Sequence, residues 1–249
     1  MCTLAAYVGW SPTLPLVVAA NRDEFLDRPA AEPCLIAHEP WVMAGQDLSA
    51  GGTWFGLNAH GMVVGLLNRR CAEGPDPRRR SRGLLCLEVL QCRSVAAAAT
   101  FLGAIRSDEY NPFNLLVADA GTALVATPFE HAVRLTRLPP GVHLLTNLDL
   151  NDATCPRIAR SSGRFAAVVA PASGDAADLV EPLRRILADH HTALDPRAPV
   201  IDTLCVHRGG YGTRSSSIVA LSARGAARYW HAAGPPCRTA FAELSLPSA

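Results

Sequence analysis

The chain has 249 residues, 49% of them hydrophobic, enough apolar material for one substantial core. A formal net charge of +1 provides no basic field, so neither a nucleic acid nor an anionic membrane is expected as a partner. Apolar runs are short and broken by proline, glycine or charge, which excludes a helical membrane span, and no basic stretch followed by an apolar one marks a secretory signal.

Taken in chain order, Thr3 to Gly9 and Leu14 to Ala20 are strand-like runs separated by the turn Trp10-Ser11-Pro12-Thr13, so a hairpin is expected with Cys2 at its outer end. The Pro-rich segment from Asn21 to about Ala50 reads as a long loop. Thr53 to Asn58 and Met62 to Asn68, around Ala59-His60-Gly61, predict a second hairpin. Pro75 to Arg82 interrupts the strands. Its arginines would suit a phosphate-bearing ligand at a helix start, but a solvated loop is the simpler reading. A helical stretch then runs from Leu84 through the alanine-rich segment to Ile105. Asn114 to Ala118, Ala123 to Thr127, Ala132 to Leu138 and Val142 to Thr146 predict a four-stranded meander. Helices follow over 156–169 and 176–190, and a last hairpin spans 215–231.

Strands, helices, strands, helices and strands in that order imply an α+β fold of two antiparallel sheets with segregated helices rather than βαβ units. A four-layer αββα sandwich satisfies it. No linker divides the chain, so residues 1–249 are expected to form one domain with a cytoplasmic location. Apart from Cys2, the cysteines at 34, 71, 86, 92, 155, 205 and 237 include no C-x-x-C pair and read mostly as small buried hydrophobes. His190-His191 with His207 lack zinc-type spacing and read as a helix end, so no metal and no organic cofactor are expected.

The chemistry begins at Met1-Cys2-Thr3. A small second residue permits removal of Met1, which leaves a thiol and a free α-amine on one residue, a nucleophile with its own base. By itself, such a start is only a small residue opening a buried strand; matching residues further along must decide. Asn21-Arg22-Asp23-Glu24, Gly51-Gly52-Thr53-Trp54, Thr146-Asn147 and Tyr211-Gly212-Thr213-Arg214-Ser215-Ser216 follow in order. Together with Met1-Cys2-Thr3 they resemble the NRDE family, relatives of the transport and Golgi organisation protein. That family is similar in turn to the N-terminal nucleophile hydrolases, particularly the choloylglycine hydrolase and penicillin V acylase branch.

The resemblance implies an amide hydrolase or acyltransferase working through an acyl-enzyme on Cys2. It implies Arg22 beside the thiol, Asp23 orienting the amine, Asn68 and Asn147 as donors to the developing oxyanion, and Arg214 closing the site. Trp54 and Phe55 would line a pocket for a small acylated substrate. Neighbours in an extended strand point to opposite faces, so Arg22 and Asp23 can both face Cys2 only through a bulge or turn. The same fold would also serve a non-catalytic carrier of haem or acyl-CoA.

Overall fold

The computed structural model describes residues 2–190 and 203–247. The strands are β1 (Thr3–Val8), β2 (Leu16–Phe25), β3 (Ala30–His38), β4 (Trp41–Asp47), β5 (Phe55–Asn58), β6 (Val63–Asn68), β7 (Phe113–Ala118), β8 (Ala123–Phe129), β9 (Ala132–Arg137), β10 (Gly141–Leu145), β11 (His207–Arg208), β12 (Tyr211–Leu221), β13 (Ala227–Ala232) and β14 (Ala242–Glu243). The helices are α1 (Arg82–Leu90), α2 (Val95–Ala104), α3 (Pro156–Ala166) and α4 (Val180–Leu187). Among the described residues they form two antiparallel sheets. The first has the order β10-β1-β2-β12-β13-β14, with β11 on β12; the second runs β3 to β9 in sequence.

Strand alternation sorts the side chains into three apolar layers. Leu4, Ala6, Val8, Leu16 and Val18 of the first sheet meet Phe55, Leu57, Val63, Leu67 and Leu116 of the second. On the opposite face of the first sheet, Ala5, Tyr7, Val17 and Ala19 pack under Ile158 and Phe165 of α3 and Leu183 and Leu187 of α4. The outer face of the second sheet, with Val42, Ala44, Val64 and Val117, is covered by Leu85 and Val89 of α1 and Ala98 and Leu102 of α2. The result is the expected αββα sandwich. No helix among the described residues is long and apolar enough to cross a membrane.

Four expectations require correction. The expected loop over 21–50 instead extends β2 to Phe25 and then forms the β3–β4 hairpin. Pro33 is tolerated because β3 is an edge strand whose register shifts between Ala31 and Cys34, where the missing N–H breaks no ladder. The four-stranded meander is three-stranded: after Pro139-Pro140, β10 leaves for the first sheet and pairs with β1. The helical stretch is divided, because the Ser94 hydroxyl accepts the Ala97 N–H and caps a new helix, α2. Of the cysteines, Cys86, Cys155 and Cys205 are buried, whereas Cys34 is exposed and Cys2, Cys71, Cys92 and Cys237 are half-buried.

His231 on β13 is buried, with Nδ1 3.0 Å from the Ser217 hydroxyl, and burial pushes its pKa down to about 4. The unfolded chain therefore takes up this proton first, so the stability present above about pH 6.5 is lost as the pH falls towards 4. Urea unfolding should show an acid loss of about 3 kcal/mol that is absent in His231→Gln. An identical acid loss in the variant would remove His231 as its source.

Candidate active site

The site lies at one end of the first sheet. Thr3 pairs with Asn21, and Ser215 with Arg22. Carrying the register on by one residue from Thr3 sets Cys2 beside Arg22, while β10, on the other side of β1, ends at Leu145, two residues before Asn147. Cys2, Arg22 and Ser215 thus form a transverse row, and directly opposed residues share a face. From the second sheet Trp54 meets this row, with the Arg22 guanidinium 3.9 Å from its ring centroid.

Asp23 takes the other face, as strand alternation requires. Its Oδ2 pairs with Nη1 of Arg157 at 2.8 Å, both side chains having no exposure, and its Oδ1 accepts the Thr213 hydroxyl at 2.6 Å. The Arg157 Nη1 also donates to Thr3 Oγ1 at 3.0 Å. Asp23 meets Cys2 through its backbone: the thiol donates to its carbonyl oxygen at 3.7 Å. A register shift between Thr213 and Ser215 sets Arg214 in a bulge, from which its Nη1 donates to the Leu26 carbonyl. Asn21 beside them is consumed by the fold: its Nδ2 donates to the Leu187 and Leu204 carbonyls at 2.9 and 2.8 Å.

Cys2, Arg22, Trp54 and Leu66 stand at the junction of two compartments. The inner one is narrow, about 310 Å³ counting the open space at its mouth, and is apolar and lined by Leu4, Ala20, Phe55 and Leu67. The outer one, about 1050 Å³ including its open mouth, is polar and lined by Asn68, Arg28, Arg79, Arg80 and Arg82. The arginine segment is the expected solvated loop, with Arg78, Arg79 and Arg80 exposed, and it is tethered to the protein at several points. Arg79 Nη1 donates to the Tyr110 carbonyl at 2.8 Å, Arg80 pairs with Glu88, and Arg82 Nη1 donates to the Pro112 carbonyl at 3.0 Å. Behind the wall of this compartment, the buried Gly52 meets Gly83 backbone to backbone: a Cβ on Gly52 would lie 2.2 Å from the Gly83 carbonyl carbon. Thr53 N–H donates to the Gly83 oxygen at 3.0 Å.

Asn68 therefore lines the outer compartment, whereas Asn147 and Arg214 line neither. Asn147 is nevertheless held firmly. Its carbonyl accepts the Arg70 N–H at 2.8 Å, and Asn114 Nδ2 donates to the carbonyls on either side of it, Thr146 at 2.9 Å and Leu148 at 2.7 Å. Its buried carboxamide oxygen accepts no hydrogen bond among the described residues, so this end of the side chain is not spent on the fold. Burial pushes the Cys2 thiol pKa up and the nearby Arg22 charge pulls it down; the net direction is upward, leaving the resting thiol protonated at neutral pH. Burial likewise lowers Arg22 and Arg82, though a guanidinium keeps its charge. Among the described residues neither forms an ion pair, which leaves two cations beside Cys2 available to an anion.

The model of the Transport and Golgi organisation 2 family matches residues 1–232. The chain belongs to this family. Its curated relatives include the mouse Transport and Golgi organization 2 homolog, 27% identical over 233 residues, covering 84% of this chain and 83% of the relative. The bovine homolog is 28% identical over 234 residues with the same coverage. Among solved structures, the sandwich resembles a Caenorhabditis elegans N-acylethanolamine-hydrolyzing acid amidase ortholog with a TM-score of 0.59 and 13% identity, covering 88% of this chain and 92% of that one. Penicillin V acylase from Agrobacterium tumefaciens follows with a TM-score of 0.53 and 16% identity, covering 93% of this chain and 83% of that one. A C2A mutant of conjugated bile acid hydrolase from Clostridium perfringens gives 0.52 and 12%, covering 100% of this chain and 98% of that one. These likenesses establish the fold, an αββα sandwich shared with these three proteins.

Sequence reasoning missed Arg157 and Asn114, and it weighed Arg82 only as one of a cluster of loop arginines. Arg157 shares a buried helical stripe with Ser161 and Phe165, an i, i+4, i+8 spacing on which an arginine signals a buried acidic partner. Asn114 left no signal, being one polar residue within a buried strand.

Proposed function

We propose that the chain is an N-terminal nucleophile acyl-transfer enzyme that cleaves or exchanges an amide, or a thioester or ester, through Cys2. Its support is the placement of that thiol at the junction of an apolar pocket and an arginine-lined vestibule, on the fold of known amidases. Removal of Met1 frees the α-amine. The amine takes the thiol proton, and sulfur adds to the substrate carbonyl carbon. The oxyanion is met by donors from the Asn147 and Asn68 segments, and the amine returns the proton to the leaving group, leaving a thioester on Cys2. Water then releases the acid, or an amine or thiol acceptor takes the acyl group. Eight cysteines without a disulfide, one of them the working thiol, suit the reducing cytoplasm.

The acyl part belongs against Leu4, Ala20 and Phe55, and a polar leaving part carrying an anionic group belongs against Arg22 and Arg82. Arg82→Ala should raise KM for such a substrate about 10- to 100-fold with kcat unchanged, the worth of one hydrogen bond to a charged group. An unchanged KM would remove Arg82 from the binding site. The reading as a whole is tested by mass spectrometry after mixing with a slow acylated substrate. Met1 should be absent and one acyl group should sit on Cys2; retention of Met1, or labelling confined to another cysteine, would overturn it. The same two compartments would also accept an acyl-CoA, with its apolar tail inward and phosphates on the arginines. Saturable binding of an acyl-CoA without any turnover would favour a carrier.

A further inference from the structure

On the helix side of the first sheet, four side chains outside the cleft converge: His190 just past α4, Cys205 before β11, His207 on β11, and Cys237 beyond β13. One ligand atom from each lies within 4.8 Å of all the others. The Cys205 and Cys237 sulfurs are 3.7 Å apart, and His207 Nε2 is 3.8 Å from the first and 3.2 Å from the second. A tetrahedral zinc ion with bonds of about 2.3 Å to sulfur and about 2.0 Å to nitrogen sets edges of about 3.8 Å between sulfurs and about 3.5 Å between sulfur and nitrogen. The separation of the sulfurs is far beyond the ~2.05 Å of a disulfide.

The geometry points to a structural Zn(II) site held by His190, Cys205, His207 and Cys237. Two thiolates and two imidazoles are a donor set that selects zinc among common divalent ions, and four protein ligands leave no open position for substrate. His190 Nδ1 lies 3.0 Å from the Cys205 carbonyl oxygen. An N–H donated there fixes the tautomer and leaves the lone pair on Nε2, the usual second contact of a metal-bound histidine. His190 and His207, whose spacing alone suggested a helix end, have ring centroids 5.0 Å apart; His191 lies outside the described residues. Spacing hid the site because its ligands come from three separate stretches of chain.

The ion would fasten the supports of the cleft. Next to Cys205, Val206 N–H donates to Thr213 Oγ1 at 2.9 Å, and that hydroxyl donates to Asp23 Oδ1. Leu204 on the other side accepts from Asn21. Both β2 contacts therefore hang from the segment the metal holds.

The full chain, purified with reductant and zinc and then dialysed, should retain one equivalent of zinc by elemental analysis. Replacement by Co(II) should give the intense visible bands of a tetrahedral thiolate site together with a thiolate charge-transfer band in the near ultraviolet. Cys2→Ala should keep this spectrum; Cys237→Ala and His207→Ala should lose it while keeping their circular dichroism. Zinc should raise the thermal midpoint of the wild type and not that of His207→Ala. The assignment is overturned by substoichiometric zinc with no saturable cobalt spectrum, by a spectrum that survives Cys237→Ala, or by a Cys205–Cys237 disulfide in protein prepared under reductant. The wild-type spectrum is decisive even if a variant fails to fold.

Discussion

Cys2→Ala is expected to abolish acyl transfer, by on the order of 10⁴-fold or more, while substrate still binds and the fold persists. Alanine is small enough for Met1 to be removed, so the α-amine, Arg22 and both compartments stay in place and only the sulfur is lost. Cys2→Ser should retain a slow residue of activity, since a hydroxyl is a poorer nucleophile than a thiol served by the same amine. Acylation of the wild type should accelerate with rising pH and level off above the amine pKa, about 7.7 to 8.0 in a free chain, because only the unprotonated amine can take the thiol proton. The buried thiol, raised by desolvation, makes that base necessary. Turnover by Cys2→Ala at the wild-type rate would dispose of the mechanism.

Arg157→Met should cost about 3–5 kcal/mol of stability, read as a fall in the urea midpoint, because it strands the Asp23 carboxylate in the interior. Arg157→Met combined with Asp23→Asn should recover part of this loss, since no charge is then left unpaired. The exposed Arg228–Glu243 pair supplies the contrast: Arg228→Ala should cost no more than about 1 kcal/mol. Equal costs for the two single variants would show that burial does not govern the Asp23 pair. The double variant also separates support from chemistry, for if Asp23 only braces the strand, restored stability should bring restored turnover with it.

The layers of the fold were legible because both inner faces and both helix-covered faces obey simple periodicity: Leu4, Ala6 and Val8 against Ala5 and Tyr7 is alternation in its plainest form. Boundaries set by single residues were less so. Pro33 concealed an edge strand and Ser94 a helix start, because the effect of each depends on a neighbour that sequence does not supply. At the site, Cys2, Arg22, Trp54 and Phe55 come together at the cleft, where motif order had placed them. The side to which Asp23 turns was decided by strand geometry, and its partner, Arg157, lies 134 residues away. Such pairings belong to topology, and only the packing of α3 on the first sheet reveals them.

The contact of Gly52 with Gly83 bears on which molecules can be accommodated. Where two main chains abut with nothing between them, that stretch of the vestibule's wall is a fixed frame, which no larger residue at 52 can enter without displacing α1 as a whole. Discrimination among guests accordingly falls to the furnishings inside that frame, Trp54 and the arginines of 79–82, and attempts to retarget the chain should begin with those side chains and leave the two glycines alone.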